Sequence, residues 1–223
     1  MIYTCKIDFK KEAQRYQFLL SKIDNDRKIL IENFIQLDDK LRSLLSRKLA
    51  EHAVCNFANV QESSLSFGND HNGKPVLLSH PYIHFNLSHC GDWIVCAVDE
   101  RPVGVDIEKI VSWNLDTLEI FCDSSEVNNL ITNQYQNQRY FQYWTIKEAM
   151  LKKVGVGLLN DPREVFVSFL DNHQVTATFN NECLYGESIC TNDGYILSAI
   201  NTTGVLDTLP VCTDDFYKGT YSQ

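Results

Sequence analysis

The stretch Gly104-Val105-Asp106-Ile107-Glu108-Lys109 decides the reading of this chain. As a strand it sets Asp106 and Glu108 on one face and Ile107 on the other. A second stretch, Trp144-Thr145-Ile146-Lys147-Glu148-Ala149-Met150-Leu151-Lys152-Lys153, reads as a helix. There Trp144, Glu148 and Lys152 share a face at four-residue spacing. Taken alone, Asp-x-Glu is most often a solvated strand edge, and Lys-Glu-x-x-x-Lys a salt-bridged helix surface. Where the two elements meet, three acids converge beside lysines, a donor set suited to Mg²⁺ facing phosphate.

The chain has 223 residues, enough for one large domain or two small ones with a sizeable core. Its hydrophobic share of 44% and charged share of 22% are those of a globular protein in water. No stretch resembles a signal peptide or is long and apolar enough to span a bilayer, so a cytoplasmic location is expected. The formal charge of −9 argues against nucleic acid as a bulk partner and against long-range attraction to an acidic protein. Two local basic clusters stand out, one at Arg42, Arg47 and Lys48, the other at Lys147, Lys152 and Lys153. The eight cysteines form no C-x-x-C pair, so reduced thiols packed as small hydrophobes are expected, without structural zinc. Cys90 reads as a small side chain beside a site, not as a nucleophile.

Residues 1–10 read as a strand. A long helical pattern follows over 25–57, with Leu41, Leu44, Leu45 and Leu49 at helical spacing and Asp38 as a candidate cap. Strand-like runs lie at Ser64–Phe67, Pro75–Leu78, Ile83–Leu87, Trp93–Val98 and Val103–Glu108, with a turn at 69–73. The order then repeats: a helix at Tyr140–Val154, a hairpin of Val165–Leu170 with Val175–Phe179, then Ser188–Cys190 and Tyr195–Ile200. Leu65-Ser66-Phe67 parallels Val167-Ser168-Phe169, and Asp92–Val98 parallels Gly194–Ile200. Two similar halves explain these parallels; chance likeness between two helix-then-hairpin stretches is the alternative. The expected divisions are 1–103, 104–202 and a polar, loosely attached tail at 203–223. Asp106 and Glu108 then lie at the seam, where a ligand cleft is expected.

Two more motifs bear on chemistry. Phe85-Asn86-Leu87-Ser88-His89-Cys90-Gly91-Asp92-Trp93 is a strand, a small polar turn and an apolar strand, and Ser88 and His89 can donate to phosphate oxygens. Adjacent Ser88 and His89 do not supply a hydrolase triad, and neither G-x-S-x-G nor a P-loop is present. Asn72-Gly73-Lys74-Pro75 is a turn entering a strand.

The ordered set Gly73-Lys74-Pro75, Phe85–His89, Gly104–Glu108 and Trp144-Thr145-Ile146-Lys147-Glu148-Ala149-x-x-Lys152 resembles the 4′-phosphopantetheinyl transferase superfamily. Its length resembles the surfactin-synthetase-activating type. The resemblance implies an α+β fold of two similar α/β halves, pseudo-dimeric, with the active site at their junction. It implies a reaction in which coenzyme A, as substrate, donates its 4′-phosphopantetheine arm to a serine of an apo acyl or peptidyl carrier protein, and 3′,5′-ADP leaves. Asp106, Glu108 and Glu148 would hold Mg²⁺, with Mn²⁺ as a substitute. Glu148 would serve as base, directly or through water, and Lys152 would neutralise the leaving phosphate. Ser88 and His89 would bind coenzyme A phosphates, Lys74 and Pro75 would line the adenine side, and Arg42, Ser43 and, beside them, Arg27 would meet the 3′-phosphate. Glu126 stands either for an auxiliary base or for a solvated acid near a helix start. The carrier would dock on the segment between Val111 and Asn133, through Leu115, Leu118, Ile120 and Phe121. A monomer without membrane contact is implied. A catalytically weak coenzyme A or carrier-binding module, and another Mg²⁺ enzyme acting on a phosphorylated substrate, are the alternatives.

Overall fold

A computed structural model describes residues 1–155, 160–201 and 207–217. The first half runs β1 (Ile2–Lys6), α1 (Phe9–Leu20), α2 (Asn25–Glu32), α3 (Leu37–Ala58), β2 (Phe67–Asn69), β3 (Pro75–Leu77), β4 (His84–Cys90) and β5 (Trp93–Asp99). The second runs β6 (Gly104–Lys109), α4 (Leu115–Phe121), α5 (Ser124–Thr132), α6 (Gln136–Val154), β7 (Phe166–Phe169), β8 (Gln174–Phe179), β9 (Glu182–Cys190) and β10 (Tyr195–Asn201). β11 (Thr208–Val211) closes the chain's list of strands. In each half the opening strand pairs antiparallel with a late one, β1 with β5 and β6 with β10. The α+β, two-halved architecture is therefore as expected.

The halves also differ. The first sheet has the order β11-β1-β5-β4, with β2-β3 as a separate ribbon, whereas the second is continuous as β6-β10-β9-β8-β7. Alternation along β5 explains how they join. Ile94, Cys96 and Val98 pack into the core beneath α3, while Val95 and Ala97 join Val105, Ile107, Leu197 and Ala199 in a separate core between the sheets. With Val105 and Ile107 turned there, Asp106 and Glu108 face the other way, toward α6.

Several expectations are corrected. The opening strand ends at Lys6, and Asp8 caps an unforeseen helix by accepting from the Lys10 and Lys11 amides. The helical run over 25–57 is broken between Glu32 and Leu37, and Gln36, not Asp38, is the N-cap residue of α3. The segment after 203 is not loosely attached where it is described. β11 pairs parallel with β1, and Thr213 and Tyr217 both donate to the fully buried Glu12 carboxylate. Residues 202–206 and 218–223 lie outside the described residues.

Candidate active site

Gly104 sets the distance between β6 and α6. A Cβ there would lie 1.8 Å from the Ala149 carbonyl oxygen, so only glycine allows the helix backbone this close. The approach brings Lys152 onto the strand. Its Nζ lies 2.5 Å from Asp106 Oδ1 and donates to Ser88 Oγ at 3.0 Å. Ser88 in turn donates to Asp106 Oδ1 at 2.7 Å. Asn86 ties the halves together, its Oδ1 accepting the Val105 amide at 3.0 Å.

Glu148 and Glu108 share an electrostatic signature. Burial pushes the Glu148 carboxyl above the usual carboxylate range, the Asp106 and Glu108 charges add to this, and Lys152 opposes it. Burial likewise pushes Glu108 upward, reinforced by Asp106 and opposed by Cys90, Lys152 and Trp144, the cysteine and tryptophan through hydrogen bonds. The Cys90 thiol is pushed up to about 11 by burial and by this carboxylate, which keeps it a neutral donor rather than a nucleophile. Crowding of the His89 ring by protein, and then the Arg42 guanidinium, hold that imidazole below its usual range, although part of the residue is exposed.

Asp106 Oδ2 and Glu148 Oε1 are buried and accept no hydrogen bond. Leaving such an oxygen unsatisfied costs about 1–3 kcal/mol, and a hard cation removes that cost. The all-oxygen donor set therefore suits Mg²⁺ in kind. Among the described residues no three carboxylate, imidazole or thiolate side chains stand arranged around one point to hold a metal ion; Lys152 meanwhile provides the countercharge to Asp106.

The other anticipated residues divide. Arg42 reaches from α3 to the β4–β5 turn, donating to the Gly91 carbonyl at 2.8 Å and pairing with Asp39 at 2.6 Å. With Lys152 it forms the cationic side of the seam, and both charges disfavour a proton on the His89 ring beside them. Lys74 crosses between the halves and donates to the Lys153 carbonyl at the end of α6, at 3.0 Å; burial lowers its pKa. Pro75 is exposed at the start of β3. Ser43 is engaged elsewhere, accepting from Arg27 at 2.9 Å.

Glu126 is neither a solvated acid nor a free base. It is 4% exposed, 2.7 Å from the fully buried Lys147, and accepts the Asp123 and Val167 amides. The carboxylate is spent on a capping box and on joining α5, α6 and β7. Lys147 therefore leaves the expected basic cluster, as does Lys48, buried against Glu51 and Glu62. In the docking segment, Leu118 and Phe121 are core residues, whereas Val111, Leu115 and Ile120 are exposed. Sequence reasoning gave no role to Asn86 or to the Trp144 contact with Glu108. A polar residue inside the apolar run Ile83–Leu87, and a tryptophan one turn before Glu148, were the available signals.

A family model described as "4′-phosphopantetheinyl transferase, N-terminal" matches residues 8–101, and one for the 4′-phosphopantetheinyl transferase superfamily matches 102–199. The chain belongs to this superfamily. Its relatives place it with the surfactin-synthetase-activating type. It is 34% identical over 154 residues to 4′-phosphopantetheinyl transferase psf-1 of Bacillus pumilus, covering 68% of this chain and 66% of that one. It is 28% identical over 203 residues to a 4′-phosphopantetheinyl transferase of Bacillus subtilis, covering 85% and 91%. It is 28% identical over 159 residues to 4′-phosphopantetheinyl transferase Sfp of the same species, covering 70% and 71%. As a phosphopantetheinyl transferase it acts between coenzyme A and carrier proteins. The seam described above lies where the two matched regions meet.

Proposed function

We propose that the seam between β4, β6 and α6 is where this transferase moves 4′-phosphopantetheine from coenzyme A to the serine hydroxyl of an apo acyl or peptidyl carrier protein. The observation that carries this reading is the pair of buried, unpartnered carboxylate oxygens on Asp106 and Glu148, beside Ser88 and Lys152. Asp106, Glu108 and Glu148 would hold Mg²⁺ or Mn²⁺, which when bound neutralises charge on the coenzyme A pyrophosphate. Glu148, whose proton affinity is already raised, takes the proton of the carrier serine, directly or through water. The serine oxygen forms its bond to the phosphorus bearing the pantetheine arm, the bond from that phosphorus to the bridging oxygen breaks, and 3′,5′-ADP leaves with the bridging oxygen. Lys152 turns from Asp106 to the leaving phosphate. Ser88 and His89 orient the pyrophosphate, Arg42 meets the 3′-phosphate, and Lys74 with Pro75 borders the adenine. Positioning and charge supply the catalysis.

A single chain carries both halves of the seam, which supports a monomer. No described helix is long and apolar enough to cross a membrane, which accords with a cytoplasmic location. The deciding experiment is intact-mass spectrometry of apo carrier protein incubated with the chain, coenzyme A and Mg²⁺. The expected result is a gain of one phosphopantetheine group, abolished by EDTA and by Glu148→Ala. Coenzyme A binding without any gain, across fatty-acid and peptide-synthetase carriers, would instead mark a binding module.

A further inference from the structure

The N-terminal end of α6 borders an open cavity of about 430 Å³, lined among others by Tyr135, Gln138, Arg139, Gln142, Asn172 and His173. None of its lining residues is acidic, in a chain with 29 acidic residues against 20 lysines and arginines. Arg139 is the charged group in it. The guanidinium carbon lies 3.6 Å from the centroid of the Phe169 ring, and Nε and Nη1 are buried without a hydrogen-bond partner. The residue itself lines the cavity. A partly desolvated cation with no carboxylate partner among the described residues gains when an anion meets it. Burial accordingly lowers the Arg139 pKa, with only Tyr143 opposing.

Two further observations point the same way. Gln142 is 2% exposed and lines the cavity, and its side-chain amide carries two N–H donors. Tyr135, the N-cap residue of α6, gives no side-chain cap, and the first turn holds no acid, so amides at this end of a 19-residue helix remain to be satisfied. Nine residues separate Arg139 from Glu148, about 14 Å along the axis. The two also point to different sides of the helix, Arg139 onto Phe169 in β7 and Glu148 toward the acids of β6. The cavity is not part of the seam.

We propose that this cavity is a second binding site, for a small oxyanion such as a phosphate or a carboxylate, held by Arg139, Gln142 and the N-terminal amides of α6. The anion would act on the same helix that carries Glu148 and Lys152. The amide-bearing wall at Gln138 and Asn172 supplies further donors for its oxygens.

Calorimetric titration of the full chain with inorganic phosphate and, separately, with malonate tests this, with coenzyme A present throughout to fill the seam. One anion per chain is expected from at least one probe, and the two arms tell phosphate from carboxylate preference. Arg139→Gln should weaken binding at least tenfold. Gln138→Glu, which brings an internal carboxylate to the guanidinium, should weaken it similarly while leaving the melting temperature unchanged or higher, and it decides the matter if Arg139→Gln does not fold. Unchanged binding in the variants, or no binding of either probe at concentrations to about 10 mM, would overturn the proposal.

Discussion

Glu148 and Glu108 each bind a proton more tightly in the folded chain than a free glutamate does, first because they are buried. For an acid whose folded pKa is raised, stability falls as pH rises from the unfolded value, about 4.3, through the folded one. Glu148→Gln removes one such group. Without divalent cations the variant should melt higher than the parent at pH 7, and the difference should vanish near pH 4. Its transfer rate should fall about 100-fold or more in the carrier mass assay. Lys152→Ala acts oppositely on stability, because it leaves Asp106, 2% exposed, with Ser88 as its one side-chain donor among the described residues. The Lys152 side chain keeps 28% of its exposure, so the loss should be about 1–2 kcal/mol in urea unfolding, short of a fully buried pair. Asp106, Glu108, Glu148 and Lys152 were legible because strand and helix periods fix which residues share a face. Ser43 and Glu126 were not, because a period says nothing of what lies opposite. Arg27 claims the first and Lys147 the second.

At the scale of elements, α6 against β6 is the contact on which the site depends. Gly104→Ala would drive a methyl group into the Ala149 carbonyl, and β6 and α6 would have to part. The expected cost is about 3 kcal/mol or more in denaturant unfolding, with loss of transfer in the surviving folded fraction. Glu126→Ala leaves Lys147, which is fully buried, with the Pro162 and Val165 carbonyls as its partners among the described residues. It should cost about 3–5 kcal/mol, yet leave the pH profile of kcat unmoved, since this acid joins elements and takes no proton from substrate. A shifted acidic limb in that profile would restore the auxiliary-base role. Elements with strong periods, β4 to β6 and α6, were legible close to their observed bounds. α1 was missed because its one clear start signal, Asp8, lay inside a run read as strand. The break before α3 was missed because apolar Phe34, Ile35 and Leu37 mimic continued helical spacing, although all three are exposed.

At the scale of the whole molecule, residues 207–217 are part of the first half. Deleting residues 207–223 removes β11 and takes both hydroxyl donors from the buried Glu12. The truncated chain should lose about 3 kcal/mol or more, read from the shift of its urea midpoint. Carrier docking should rest on exposed Val111, Leu115 and Ile120 more than on charge, given the net −9. Raising NaCl from 50 to 200 mM should accordingly change the KM for carrier by less than about threefold, whereas long-range steering would show a steeper rise. The sequence by itself determined the two-halved plan and the shared faces of Asp106 with Glu108 and of Glu148 with Lys152, because periodicity and spacing are local properties written along the chain, and its ordered motifs carried the resemblance to the family. Tertiary structure alone decided that Lys152 rests on Asp106, that Glu126 is consumed by Lys147, that β11 belongs to β1 and that Arg139 has no counter-ion among the described residues. Each of these is a pairing between groups distant in sequence or a balance of burial against charge, and no local pattern encodes either.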